Sequence, residues 1–279
     1  MEVSVGGYYG WRKRLTKPPS IRRKTLKQLV KDCYWENRKR YGTRRIRADL
    51  QKSGVKIGRW SIRRLMKEEG LKAIQPKSFQ PKTTDSKGVK ASPNLLEGVK
   101  LEECAVGKLV IGDITYLPLR NGKFCYLAMW QDKVTRRIVG WSVADSMTAE
   151  LVISALEKAI MKGLVKAGAI IHSDRGSQYA SNAFRLLLQT SCFRQSMSGK
   201  GNCYDNAQAE SFFSRFKAEL LEGGVFEDVE QAESEVFSYI EGYYNRVRIH
   251  SSLGYKSPLE FELELKTKNN GGKESFCSI

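Results

Sequence analysis

The apolar positions of this chain change their spacing near residue 107. Before it they recur at three and four: Leu26, Leu29, Val30, Cys33 and Tyr34 predict a helix over 22–39. A second short helix follows Gly42, with Ile46 and Leu50 on one face and Gly54 as its break. A third runs from about 59 to 69 with Ile62, Leu65 and Met66 apolar, and stops at Gly70. After Gly107 the pattern becomes β-branched runs. Strands are predicted over 109–117, 123–131 and 137–143, the first two joined by a tight turn at Asn121-Gly122. An amphipathic helix over 148–162, a short strand over 169–172, a helix over 182–189 and a strand over 193–197 follow. Two further helices cover 207–221 and 229–244. Strands joined by hairpins and then alternating with helices describe an α/β fold, a mixed sheet with flanking helices behind a small all-α module.

The expected organisation is an N-terminal arm (1–20), a helix-turn-helix-like module (21–74), a linker (75–100), a core (101–262) and a C-terminal tail (263–279). The linker follows from Pro76, Pro81 and Pro93 among Lys, Ser and Thr. Charge sharpens this division. The net charge is +18, and residues 1–100 hold 27 Lys and Arg against 8 Asp and Glu, whereas residues 101–279 hold 21 against 22. A basic front and a near-neutral back suggest a binding module joined to a catalytic or assembly body, with a polyanion as partner. Arg59, Arg63, Arg64 and Lys67 fall on the third helix, the one such modules place in the major groove. A solvated basic three-helix cap has the same pattern.

Six cysteines without a Cys-x-x-Cys pair, and only two histidines, give no zinc-finger spacing and suggest free thiols in a reducing cytosol. No apolar run is long enough for a membrane span, so DNA is a better anionic partner than a membrane. No Gly-x-x-x-x-Gly-Lys phosphate loop is present.

Three acids stand out. Asp113 lies inside the apolar run Val110-Ile111-Gly112-Asp113-Ile114, where a carboxylate is costly unless paired, hydrogen-bonded or bound to a metal. Asp174 follows the strand Ile170-Ile171-His172, at the strand end where open α/β sheets carry their sites. Glu210 shares a helix stripe with Lys217, opposite Ala209, Phe212, Phe213, Phe216 and Leu220. Converging carboxylates would hold two divalent cations for in-line phosphoryl displacement. Singly, each acid has a plainer reading: Asp113 as the buried partner of an arginine, Asp174 as a turn residue, Glu210 as a solvated helix charge. His172 reads as a packed or hydrogen-bonded histidine rather than a ligand.

These residues resemble the integrase core of insertion-sequence transposases made from two overlapping reading frames, as the second-frame product. The matching stretches are Gly112-Asp113-Ile114-Thr115-Tyr116-Leu117, His172-Ser173-Asp174-Arg175-Gly176-Ser177-Gln178-Tyr179, and Asp205-Asn206-Ala207 with Glu210-Ser211-Phe212-Phe213. Tyr243-Tyr244-Asn245, Arg248, His250 and Ser252-Leu253-Gly254-Tyr255-Lys256-Ser257-Pro258 also fit, as does Tyr41-Gly42-Thr43-Arg44-Arg45-Ile46 for the helix-turn-helix segment. The 35 residues between Asp174 and Glu210 are the family's characteristic separation. The family often has a Trp just before the first acid, where this chain has Leu109-Val110-Ile111.

The resemblance implies a ribonuclease-H-like fold, two Mg²⁺ or Mn²⁺ ions held by Asp113, Asp174 and Glu210, and DNA cleavage followed by strand transfer. Lys217 would contact DNA near the reacting phosphate, with Arg44, Arg45, Arg59, Arg63, Arg64 and Lys67 as DNA contacts of the module. It implies element ends and target DNA as partners, homo-oligomers on DNA, and a bacterial cytoplasmic, nucleoid-associated location. The chain begins where the family's second frame is already under way, so the upstream-frame protein is an expected partner in recognising element ends. A non-catalytic DNA-binding regulator of transposition is the alternative reading, motivated by the basic first hundred residues; a nuclease that cuts without joining is a third.

Overall fold

The computed structural model describes residues 4–16, 21–76, 92–199, 207–221 and 224–271. The chain divides into two units, Met1–Ile74 and Gln75–Ile279.

The first unit is helical: α1 (Val5–Thr16), α2 (Ile21–Glu36), α3 (Thr43–Lys52) and α4 (Arg59–Glu68). The predicted apolar faces form its core, with Val30, Cys33 and Tyr34 on α2, Ile46 and Leu50 on α3, and Ile62, Leu65 and Met66 on α4 all buried. The α2 helix ends three residues before the predicted 39, and Arg38 and Lys39 there take left-handed backbone (φ 49° and 62°). Two of the unit's few acids tie helices together. Glu68 pairs with Arg23 of α2, and Glu69 with Lys27 and Lys31.

The second unit is a five-stranded sheet in the order β3-β2-β1-β4-β5. Its strands are β1 (Leu109–Pro118), β2 (Phe124–Asp132), β3 (Ile138–Ala144), β4 (Ile170–Ser173) and β5 (Arg194–Met197). The first three form an antiparallel meander, and β4 and β5 run parallel to β1. This is the mixed sheet expected from the sequence, in the ribonuclease-H-like order that the family resemblance implies. Helices α5 (Ala149–Met161), α6 (Ser177–Ala180) and α7 (Asn182–Thr190) connect the later strands. They pack Val152, Leu156, Tyr179, Phe184 and Leu188 against Val110, Ala128 and Trp130 on one face of the sheet. The other face, with Ile111, Leu117, Leu127 and Met129, is covered by α8 (Ala207–Leu221), α9 (Val229–Phe237) and the segment after it. Burial on both faces explains why β1 reads as a continuous apolar run rather than an alternating one.

Three features differ from the sequence expectation. The helix predicted over 229–244 ends at Phe237 and continues as a π-helical segment, Ser238–Tyr244, which brings Tyr239, Ile240 and Tyr244 into the core. Part of the predicted linker is bound to the sheet: the Leu95 amide donates to Ser196 Oγ at 2.9 Å and Ser92 Oγ to Gln195 Oε1 at 2.7 Å, both on β5. The linker positions 77–91 lie outside the described residues. The last helix, α10 (Pro258–Gly271), starts inside the predicted core and ends inside the predicted tail.

The edge strand β3 is closed by a side chain. Asn245 Oδ1 accepts from the Ile138 amide at 2.9 Å, and its Nδ2 donates to the Ile138 carbonyl at 3.0 Å. This amide occupies backbone groups that a further strand would otherwise pair with.

Candidate active site

Asp113 is on β1 and Asp174 follows β4 by one residue. The two strands are parallel neighbours with Ile111 opposite His172. Carrying that register forward brings Asp113 and Asp174 to the same level at the strands' C-terminal edge. Asp113 lies on the same side of β1 as Ile111 and Leu117, whose cluster includes Ala209, Phe212, Phe213 and Phe216 of α8. That is how the helix carrying Glu210 and Lys217 comes to face the first acid.

The flanking glycine has a steric role. A Cβ on Gly112 would lie 2.3 Å from the Trp130 ring, so only glycine leaves room for that indole against β1. The indole is held by its Nε1–H donating to the Val152 carbonyl at 3.1 Å and by stacking on Phe184 at 5.8 Å.

The electrostatics of Asp113 set it apart. Its carboxylate accepts from the Ile114 amide at 2.8 Å, and that is its one side-chain hydrogen bond among the described residues. Burial, then the charge of Asp174 and then that of Glu210 push its carboxyl up to about 8, against a lowering from the Ile114 amide and Lys217. Asp174 is also raised by burial, and held down by the Gly176 amide, which donates to Oδ1 at 3.0 Å. Glu210 is exposed on the first turn of α8. Asp113 thus lies within reach of the charge of both other acids. The three are not gathered into a closed cage: among the described residues no three His, Cys, Asp or Glu side chains form a set that could hold a metal ion.

Lys217, two turns along α8 from Glu210, holds its ammonium 3.8 Å from the centre of the Tyr116 ring. Desolvation lowers its pKa and the charge of Asp113 opposes that shift. Tyr116 is 51% exposed and meets Phe124 edge-on at 5.2 Å, giving an aromatic and basic surface three residues from Asp113.

His172 is fully buried, with its ring nitrogens 2.8 Å from Ser196 Oγ and 3.1 Å from Ser198 Oγ. It is the hydrogen-bonded histidine expected, and it knits β4 to β5.

Two buried groups were missed by sequence reasoning. Asp132, at the end of β2, accepts from the amides of Gly107 and Thr135 and from the Thr135 hydroxyl at 2.7–2.8 Å. The Asp-x-x-Thr turn spacing was its signal. Glu219 of α8 binds Arg248 through both carboxylate oxygens (2.8 and 3.0 Å) and accepts from Tyr239 Oη at 2.8 Å. Arg248 was visible as a motif residue, but Glu219 gave no sign that it was the partner.

In the helical unit, Arg44, Arg59, Arg63, Arg64 and Lys67 are exposed. Arg59 Nε donates to Thr43 Oγ1 at 3.3 Å, and Arg64 lies 4.9 Å from the centre of the Trp60 ring. Arg45 is partly buried over Tyr41, 5.6 Å from its ring centre, and bonds the Arg40 carbonyl.

Residues 105–203 and 191–258 match the family described as Integrase core domain, and residues 21–79 match HTH-like domain. The class is therefore an integrase core joined to a helix-turn-helix-like domain. The chain is 38% identical to the Insertion element IS600 uncharacterized 31 kDa protein of Shigella sonnei, over 93% of this chain and 94% of that one. It is 38% identical to the Transposase for insertion sequence element IS904 of Lactococcus lactis, over 87% and 95% of the two chains. The Transposase InsF for insertion sequence IS3A of Escherichia coli is 35% identical over 94% of this chain and 91% of its own length. The chain belongs to the insertion-sequence transposases, a family of transposase and integrase function.

Proposed function

We propose that this transposase cuts and joins DNA strands at a divalent-metal site formed by Asp113, Asp174 and Glu210. The observation that carries the reading is Asp113: a carboxyl on a core strand with one amide donor, raised by burial and by the two other acids. A site that gathers negative charge without a basic partner of matching strength suits a cation. All three donors are carboxylate oxygens, the chemistry that Mg²⁺ and Mn²⁺ prefer. Two such ions, held by these acids, would supply charge stabilisation to both the attacking and the leaving oxygen.

The chain's own residues then divide the work. Asp113 and Asp174, fixed by adjacent strands, form the rigid part of the site. Glu210, exposed on its helix, would complete the set by turning its side chain toward them. Lys217 offers an ammonium to a DNA phosphate beside Asp113, and α4 of the helical unit offers Arg59, Arg63, Arg64 and Lys67 to the duplex, with Arg44 and Arg45 from α3. In the first step water attacks the phosphodiester at the element's end, breaking the bond to the 3′ oxygen and leaving a free 3′-OH. In the second, that 3′-OH attacks a target phosphodiester, forms the new strand bond and releases a target 3′-OH.

The test is a joining assay with a pre-cut element end, target DNA and Mg²⁺ or Mn²⁺. Asp113→Asn, Asp174→Asn and Glu210→Gln should each abolish joined product while keeping the duplex affinity of the wild type. Retained joining in any of them would rule the mechanism out.

A further inference from the structure

Among the side chains around Asp113 and Asp174, Tyr179 has one atom that packing does not explain. The residue is 1% exposed, and its buried hydroxyl has no hydrogen-bond partner among the described residues. Its ring is tightly placed, edge-on to Trp130 at 5.7 Å and to Phe184 at 5.8 Å. Phenylalanine would fill that space equally well, and a buried polar group left unpaired is destabilising.

The ring lies beside the loop that carries Asp174. Tyr179 is on α6, immediately after the Asp174 loop, and its amide donates to the Gly176 carbonyl at 3.1 Å. Gly176 borders both the ring and the carboxylate: a Cβ there would be 3.1 Å from Asp174 Oδ1 and 3.4 Å from Tyr179 Cδ2. Asp174 has the Gly176 amide as its side-chain donor, which leaves acceptor positions open. Burial and the charges of Asp174 and Asp113 keep the phenol protonated well above its ordinary range, so it is a donor across the working pH of a DNA enzyme.

We propose that Tyr179 is a positioning residue for the metal-holding acids: its hydroxyl donates to the Asp174 carboxylate, directly or across one water, when that carboxylate takes a divalent cation. The hydrogen bond fixes which carboxylate oxygen faces the ion, as outer partners of ligating side chains commonly do. The inference rests on the metal-site reading above. The aromatic contacts of its ring hold the hydroxyl in place, and no other partner meets it among the described residues.

The experiment compares wild type, Tyr179→Phe and Asp174→Asn as full-length chains. Mn²⁺ affinity is measured by calorimetry, melting temperature with and without Mn²⁺, and strand transfer across a Mn²⁺ titration. Near-ultraviolet circular dichroism reports that the packing of the aromatic side chains is intact. Tyr179→Phe should melt at or above wild type without metal, bind Mn²⁺ about tenfold more weakly, and need more Mn²⁺ for joining while approaching wild-type rate at saturation. Wild-type affinity and an unshifted titration in Tyr179→Phe would overturn the proposal while leaving the metal site standing. If wild type binds no Mn²⁺ and Asp174→Asn still joins DNA, the metal-site reading falls and this inference falls with it.

Discussion

In the helical unit the arginines and lysines of α4 lie on the surface, and Glu68 and Glu69 pair with partly exposed bases of α2. In the sheet unit the decisive charges are inside. Asp132, Glu219, Arg248 and Glu262 are nearly or fully buried. Surface charges retain their water, so they contribute little to stability and remain available to a partner. Buried charges give up that water and are tolerated only with full hydrogen bonding. Within the sheet unit the contrast sharpens again. Asp132 has three donors, whereas Asp113 has one and feels two other acids. The satisfied aspartate is part of the scaffold, and the unsatisfied one is where a ligand would add something.

This comparison predicts effects of decreasing size. Arg248→Met takes the two guanidinium donors from the buried Glu219 carboxylate and should lower unfolding free energy by about 3–5 kcal/mol in urea titrations; a loss below about 1 kcal/mol would break the comparison. Asp113→Asn should do the opposite to the metal-free protein while abolishing joining. The folded Asp113 carboxyl titrates near 8, above its unfolded value, so the folded state holds a proton that the unfolded chain releases. Wild-type stability therefore falls as pH rises from about 4 to 8, and the Asn variant escapes that fall. Its melting temperature should exceed wild type by more at pH 8 than at pH 5, and a gap constant with pH would count against the assignment. Gly112→Ala forces the Trp130 ring away from β1 and should cost about 1–3 kcal/mol, read by thermal melting. Arg63→Ala should change stability by less than about 0.5 kcal/mol yet lower the slope of log affinity against log salt by about 1 if Arg63 meets a phosphate.

Much of this molecule was legible because its cores are periodic. The faces of α2, α3 and α4 follow from spacings of three and four, and the β1 run from burial on both sides. Asp113 stood out as a carboxylate among Val and Ile, and Asp174 as the acid just past a short apolar strand. What stayed hidden depends on contacts between residues far apart in the chain. Glu219 looks like any helix glutamate until Arg248 folds against it, 29 residues on. The π-helical widening at Ser238–Tyr244 keeps an apolar pattern that an ordinary helix shares, so no periodicity revealed it. The Ser92–Leu96 stretch carries Pro93 and reads as linker, yet hydrogen bonds to β5 decide its place.

The bidentate grip of Arg248 on Glu219 gives the end of the chain a say in chemistry that it does not itself perform. Shortening the protein ahead of Asn245 would remove no candidate acid, but it would unfasten the helix that carries the third one and uncover the backbone of Ile138. Loss of activity in such a truncation would therefore reflect a misplaced glutamate and an open sheet edge, not a missing reactive group.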